Sequence, residues 1–452
     1  MDRSWLSLPV GVAAGLGVWR FAPLPPAQAT ALAITLFSIA LWIGSPVPPW
    51  FTGVAAIGLF GITLGSGTAF TGFSQPATWL IAFGLVVGEA TRQSGLVDVV
   101  ERWAMARIDP ARLERPVRLY GLLLLGLCLV GLAMVLLVPT ALARILILAP
   151  VLVEIGERFD SREAKLGLFL GPIFATYYGT AGVLTGGLPN ILIVGVLEST
   201  TGQTIGWAEW FVTMFPLMGL GKALVIAATV FLLYRPPAET TIRLGQVGGS
   251  TDAVGARRMT LFLLLGVAFW ATDFVHGYHP VYGALLVAVL ALLPRFGVAD
   301  FDLFEDVDFT LVLFVGAVFA VAAALTQTGF TDVAATWLLS LVPGDAPTWV
   351  VLFAVFGITV AMTLVLEGAA TSSVLTPILV SYAGTAGLPL LPVLYVEAIA
   401  LETYFFPYQS IVLVTILGLG VVDTRELIKA ASVISIVGAV TLLPLQILWF
   451  VW

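Results

Sequence analysis

The chain has 452 residues, of which 59% are hydrophobic and 10% charged, with a net charge of -7 and a mean hydropathy of +1.04. So apolar a composition excludes a soluble globular protein and implies a polytopic membrane protein, and the lack of a basic domain excludes a nucleic-acid partner. The single cysteine, Cys128, stands in an apolar run and cannot form a disulfide within one chain; the two histidines, His276 and His279 beside Pro280, read as interfacial residues rather than metal ligands.

Residues 6–19 form a first apolar span. The Pro-rich 24–26 before Ala27-Gln28-Ala29 resembles a signal-peptide cleavage site, but Arg20 interrupts that pattern and favours a retained span. Further spans are expected near 28–45, 48–66 and 76–92. Arg102, Arg107, Arg112, Arg115 and Arg118 then make a basic, partly amphipathic stretch, broken by Pro110 and Pro116, that is expected on the membrane surface.

The apolar run 119–156 is too long for one span and is broken at Pro139-Thr140, yet Arg118 precedes it and Arg158, Arg162 and Lys165 follow it. Two crossings need about 20 residues each, and equal positive charge on both flanks returns the chain to the side it left. A re-entrant hairpin explains both facts. Within it stands Arg144, a charge that a bilayer tolerates only beside protein, water or an anionic partner. It reads as an anion site or, alternatively, as an arginine that snorkels or pairs with a buried carboxylate.

Residues 166–178 lead into Gly-Thr-Ala-Gly-Val-Leu-Thr-Gly-Gly-Leu-Pro-Asn at 179–190, whose glycines and proline unwind a helix. Unwound backbone within a membrane has to line a cavity or be satisfied by protein. A span at 208–234 contains Lys222, a polar linker covers 235–258, and spans follow at 259–275 and 280–294.

No lysine or arginine occurs between 296 and 424, which places the loops of this stretch mostly outside. It holds a span at 309–326, a surface segment at 329–346, and an apolar run at 348–386 whose centre, 366–373, reads Leu-Glu-Gly-Ala-Ala-Thr-Ser-Ser. A segment at 389–404 carries Glu397 and Glu402, Phe-Pro-Tyr-Gln-Ser at 406–410 breaks it, and an apolar continuation runs through 417. Arg425 and Lys429 return the chain inside before a final span.

Gln-Ser-Gly-Leu-Val-Asp-Val-Val-Glu-Arg-Trp at 93–103 matches Gln-Thr-Gly-Phe-Thr-Asp-Val-Ala-Ala-Thr-Trp at 327–337, and the same order of segments follows each copy. The first surface segment is basic and the second has no base, so the copies lie on opposite sides and the repeat is inverted. The expected fold is an all-α polytopic membrane protein of about 11 transmembrane helices plus two re-entrant hairpins, N-terminus inside and C-terminus outside. Every base except Arg20, Arg144 and Lys222 then falls on the inner side. Residues 1–75 are scaffold spans, 76–234 the first repeat with hairpin 119–156 and broken helix 166–198, 235–258 a cytoplasmic linker, and 259–308 connecting spans. Residues 309–452 are the second repeat, with hairpin 348–386 and broken helix 389–418. Paired broken helices in inverted repeats are transporter architecture.

The layout, with Thr185-Gly186-Gly187-Leu188-Pro189-Asn190, Glu198-Ser199-Thr200-Thr201-Gly202 and Trp207-Ala208-Glu209-Trp210, resembles the divalent anion/sodium symporter family of the ion transporter superfamily. The resemblance implies carriage of dicarboxylates, tricarboxylates or sulfate, a homodimer, and Ser-Asn-Thr triplets at the hairpin tips that contact substrate carboxylates and sodium. This chain departs from that pattern, with Thr140-Ala141-Leu142 and Glu367-Gly368-Ala369 at the two tips.

The expected function is a secondary active transporter of small di- or tricarboxylates in the cytoplasmic membrane, working by elevator-like alternating access. A cation gradient, sodium or protons, or exchange of anions would drive it, and no cofactor is expected. Thr140, Arg144, Asn190, Thr371, Ser372, Gln409 and Ser410 are the candidate substrate ligands, with Arg144 able to hold a carboxylate bidentately. Glu367, Glu402, Thr185 and Gly186 are the candidates for cation coupling, Glu367 as a fixed charge or proton carrier. Arg144 and Glu367 could instead pair with each other across the tips. An alternative is a sodium/proton antiporter or an inorganic oxyanion carrier of the same superfamily. An intramembrane enzyme is remote, because no Ser/His or His/Asp pair and no metal cluster lies within the spans.

Overall fold

The computed structural model describes residues 3–96, 116–138, 140–242, 253–341 and 346–451. Arg102, Arg107, Arg112, Arg115, Pro139 and the middle of the expected linker lie outside them. Among the described residues the chain is helical, and its one extended pairing is an isolated bridge between Phe159 and Ile242. This is the all-α polytopic membrane architecture expected from composition.

Helix starts follow the proline rule: Pro26–Gly44, Pro49–Thr63 and Pro76–Gln93 each open on a proline, whose missing N–H would have been unpaired there in any case. Six helices among the described residues are long and apolar enough to cross a membrane: Pro26–Gly44, Pro116–Leu137, Trp207–Leu233, Val254–Ala271, Thr310–Gln327 and Thr424–Val451. Other expected spans fall on shorter apolar helices, and the two expected to be broken do so as Leu188–Thr201 and Leu390–Leu401, where glycine and proline interrupt them.

The long run 119–156 forms two helices, Pro116–Leu137 and Ala141–Glu157, both packed on Arg162–Tyr178. A Cβ on Gly131 would stand 2.7 Å from the Pro172 carbonyl, so glycine is what lets these backbones meet. The run 348–386 divides in the same way into Thr348–Thr363 and Gly368–Ala386.

The two matched segments at 93–95 and 327–329 end their helices alike. Pro76–Gln93 and Thr310–Gln327 are both 18 residues long and both end on glutamine. Ser94 and Thr328 then turn their hydroxyls back onto carbonyls of the last turn, Thr91 and Ala324, at 2.7 Å in each case. Gly95 and Gly329 follow at φ of 74° and 75°, the left-handed geometry that ends a helix at little cost only on glycine.

One span differs from expectation. The stretch 208–234 divides into Trp207–Met214, a π-helical segment Phe215–Gly221 and Lys222–Leu233. Pro216 cannot donate to the preceding turn, and Gly219 and Gly221 tolerate the wider coil.

Candidate functional site at the crossed helix breaks

Arg162–Tyr178 gives way at Gly179 to two short 3-10 turns, Gly179–Gly182 and Leu184–Gly186, and helix resumes as Leu188–Thr201. In the second half Leu390–Leu401 ends at Glu402, Pro407–Gln409 makes a 3-10 turn, and Ile411–Gly418 starts behind Ser410, whose hydroxyl accepts from the Val412 amide at 3.2 Å. Each break leaves backbone groups without helical partners, a cost that apolar surroundings do not relieve.

The two breaks satisfy each other. Thr180 donates its hydroxyl to Glu402 Oε2, Tyr177 donates to Ser410 Oγ, and the Tyr178 hydroxyl donates to the Tyr404 carbonyl at 3.1 Å. Ser435 of Thr424–Val451 donates to the same carbonyl at 2.6 Å. The Tyr177 and Tyr404 rings stack with centroids 5.0 Å apart. Trp207 Nε1 donates to Thr185 Oγ1 at 3.1 Å and Trp210 Nε1 to the Ala181 carbonyl at 3.0 Å, pinning the first break to the next helix.

Asn190 and Gln409 hold corresponding places behind the breaks. Asn190 Nδ2 donates to the carbonyls of Thr180 at 2.9 Å and Val183 at 3.0 Å. Gln409 Oε1 accepts from the amides of Phe405 and Phe406 at 2.7 and 2.8 Å, while its Nε2 donates to the Thr363 carbonyl at 3.1 Å. Gln409 thereby ties the second break to the end of Thr348–Thr363.

Arg144 does the equivalent in the first half. It is fully buried and donates to Thr176 Oγ1 at 3.0 Å and to the carbonyls of Val138 at 2.6 Å, Thr176 at 3.1 Å and Gly186 at 3.0 Å. The guanidinium therefore clamps the tip of the first helix pair to the first break. The fork expected to hold a carboxylate is already engaged on carbonyls, and among the described residues Arg144 forms no ion pair, with Glu367 or any other carboxylate. Burying a charge on carbonyls is tolerable because each donor meets a partial negative charge.

In and beside the breaks, Asn190 Oδ1, Glu402 Oε1 and Glu397 Oε2 are buried without a hydrogen-bond partner among the described residues. Glu402 Oε1 faces Gly187, where a Cβ would stand only 2.6 Å away. Glu397 receives Thr376 Oγ1 at 2.8 Å on its other oxygen.

The remaining expected ligands are placed differently. Glu367 is exposed and accepts from the Ala369 amide at 2.8 Å, capping its own helix. Thr371 and Ser372 are buried, and their hydroxyls return to the Glu367 and Ala369 carbonyls at 3.1 and 2.9 Å, as hydroxyl residues in apolar helices commonly do. Thr140 packs on Pro76–Gln93, its hydroxyl 2.9 Å from where a Gly88 Cβ would stand. Thr185, Gly186, Asn190, Gln409, Ser410 and Glu402 thus meet at the breaks, with Arg144 beside them, whereas Thr140, Glu367, Thr371 and Ser372 line the two tips.

Sequence reasoning missed Thr176, Tyr177, Tyr178, Thr180 and Tyr404. The readable signal was their position: tyrosines stand immediately before Gly179, on the last turn ahead of the first break, and three residues before Pro407, within the second. At the outer edge of the same helix, Arg162 donates to Glu426 at 2.8 Å, which holds its guanidinium above the ordinary range.

The family model for a citrate transporter, CitMHS, matches residues 31–400. L-tartrate/succinate antiporters of Escherichia coli (strain K12) and Shigella dysenteriae serotype 1 (strain Sd197) are each 22% identical over 304 residues, 64% of this chain. The chain spans 61% of the length of those relatives. The YdaH transporter of Alcanivorax borkumensis, whose crystal structure is described as having an unusual topology, shares the fold with a TM-score of 0.58 at 15% identity, over 94% of this chain and 98% of that one. The resemblance read from the motifs at 185–190, 198–202 and 207–210 therefore falls within a transporter family, in a multi-pass membrane protein. From residue 31 to residue 400, this chain belongs to the citrate transporter family.

Proposed function

We propose that this protein carries small di- or tricarboxylate anions across the cytoplasmic membrane by alternating access. The observation that carries this reading is the crossing of two unwound segments in the interior, joined by Tyr177, Tyr178 and Thr180 to Ser410, Tyr404 and Glu402. The starts of Leu188–Thr201 and Ile411–Gly418 bring positive helix ends to that crossing, which suits an anion. The family match and the antiporter relatives supply the carboxylate class.

In this reading the helix pairs at 119–156 and 348–386 re-enter the membrane from opposite sides. Together with the breaks they move as a body against scaffold helices such as Pro49–Thr63, in a homodimer. Asn190, Gln409 and Ser410 shape the substrate pocket from the breaks, and Thr140, Thr371 and Ser372 close it from the tips. Arg144 contributes positive potential and holds the first tip in register. Glu402, with Thr185, Gly186 and Glu367 near it, is the coupling centre, whether the drive is a cation gradient or anion exchange.

The test is uptake of labelled succinate, tartrate and citrate into proteoliposomes under an inward sodium gradient, an inward proton gradient, or internal unlabelled substrate alone. Uptake of at least one of these under one condition is expected. No uptake of any of them, with protein shown to be folded, would overturn the reading in favour of an inorganic oxyanion carrier or a sodium/proton antiporter.

A further inference from the structure

The turn 272–280 joins the spans Val254–Ala271 and Val281–Leu292 and has no place in the site as described so far. Those spans pack with Pro76–Gln93 around an apolar cluster of their own, which includes Val86, Met259, Phe262 and Val287, apart from the larger core around the breaks. Two side chains of the turn nevertheless reach across to helices that hold the first break. Asp273 accepts from the Trp207 amide and, at 3.3 Å, from the Ala208 amide. Its carboxylate thus sits at the start of Trp207–Met214, where unpaired N–H groups and the helix dipole favour a negative charge. His279 Nε2 stands 3.5 Å from Glu198 Oε2, near the end of Leu188–Thr201.

Each contact has support behind it. The Val281 amide donates to His279 Nδ1 at 3.1 Å, which leaves Nε2 to carry the ring proton and face Glu198. The Trp270 ring stacks on Trp207 with centroids 6.2 Å apart, and its Nε1 donates to the Pro280 carbonyl at 2.8 Å. Trp207 and Trp210, on the helix that Asp273 caps, are the residues that pin Thr185 and the Ala181 carbonyl of the first break. The turn therefore grips both the helix that continues from the break and the helix that pins it. The His279 and Glu198 side chains are 16% and 24% exposed, so water takes over their polar groups when they separate, and parting costs far less than opening an apolar interface.

We propose that the turn 272–280 is a latch: Asp273 and His279 fasten the helices around the first break to the connecting spans in this conformation, and both contacts part each time the carrier changes state. The proposal rests on the alternating-access reading and deepens it, because it puts the connecting spans on the scaffold side of the movement. A few polar contacts at helix ends suit such a role, since they favour one arrangement without welding the two bodies together.

A reversible lock tests this. A Cβ on Gly206 would stand 3.6 Å from Asp273 Cγ, and Gly206 has a φ of -67°, open to any residue, so cysteines at the two positions should bridge. In a Cys128→Ala background, Gly206→Cys/Asp273→Cys should form a disulfide under mild oxidant. Its exchange of labelled succinate or tartrate in proteoliposomes should then fall at least about tenfold and return on reduction, because exchange needs both states. Gly206→Cys and Asp273→Cys alone should be indifferent to the oxidant. Exchange by the bridged protein at its reduced rate overturns the latch, as does a folded double variant that does not bridge. If that variant fails to fold, Glu198→Cys/His279→Cys joined by a bifunctional methanethiosulfonate reagent decides on the same terms: a block relieved by reductant supports the latch, and unchanged exchange overturns it. Absence of exchange in the wild type and the reduced variants alike would instead sink the carrier reading, and the latch with it.

Discussion

At the residue scale, Arg144 illustrates how a charge legible in sequence acquires a role that is not. Its position in an apolar run marked it as important, and burial agrees. Its partners, however, are the Val138 carbonyl six residues back and Thr176 and Gly186 far along the chain, which only the folded arrangement brings together. Arg144→Lys keeps the charge but can reach only part of that set, so it should destabilise the protein by about 2–4 kcal/mol, leaving carbonyls unpaired. Thermal unfolding in detergent, followed by intrinsic tryptophan fluorescence, measures this. A variant that melts with the wild type would show that the carbonyl clamp contributes little. Thr371 and Ser372 carry the converse lesson: hydroxyls at a polar tip read as ligands, yet their nearest acceptors are their own helix carbonyls.

At the scale of elements, the breaks at 179–190 and 406–410 were readable because glycine and proline act locally, at fixed distance from the backbone they disturb, whereas the earlier end of the second helix at Leu401 was not. The partners of the breaks were not readable, since tyrosine and threonine occur throughout apolar segments and only their place beside a break distinguishes Tyr177, Tyr178 and Tyr404. The π-helical segment at Phe215–Gly221 was equally hidden, although Pro216 was its local cause. Gln409 bridges the second break and the end of Thr348–Thr363, so Gln409→Leu should strand the Phe405 and Phe406 amides and cost about 1–3 kcal/mol. Glu is the discriminating second substitution. Protonated, its carboxyl keeps the carbonyl acceptor and an O–H donor, whereas ionised it buries a charge against the Thr363 carbonyl, so Gln409→Glu should melt closer to the wild type at acid than at neutral pH; equal melting of both variants with the wild type would show that the break is held by packing alone.

At the scale of the whole molecule, composition settled the class, and the Gln-x-Gly match at 93–95 and 327–329 corresponds to two equal helices with the same ending. Which side of the membrane each half faces rests on charge, since geometry within one chain does not distinguish inside from outside. With Cys128 replaced by alanine, impermeant maleimide added to intact cells should label a cysteine placed at the exposed position Thr385 and spare one at the exposed position Asp160, which should label only once the membrane is opened. Labelling of both from one side would remove the inverted arrangement and with it the alternating-access reading. The most direct test of the central claim, that the crossed breaks form the carboxylate site, is counterflow of labelled succinate or tartrate by the wild type and by Gly187→Ala, whose added Cβ would stand 2.6 Å from Glu402 Oε1. Exchange by the wild type and a loss of at least about tenfold in the variant, with cooperative melting preserved, is the result expected from a clash confined to the site. Exchange at the wild-type rate by Gly187→Ala would place the substrate elsewhere and contradict the account.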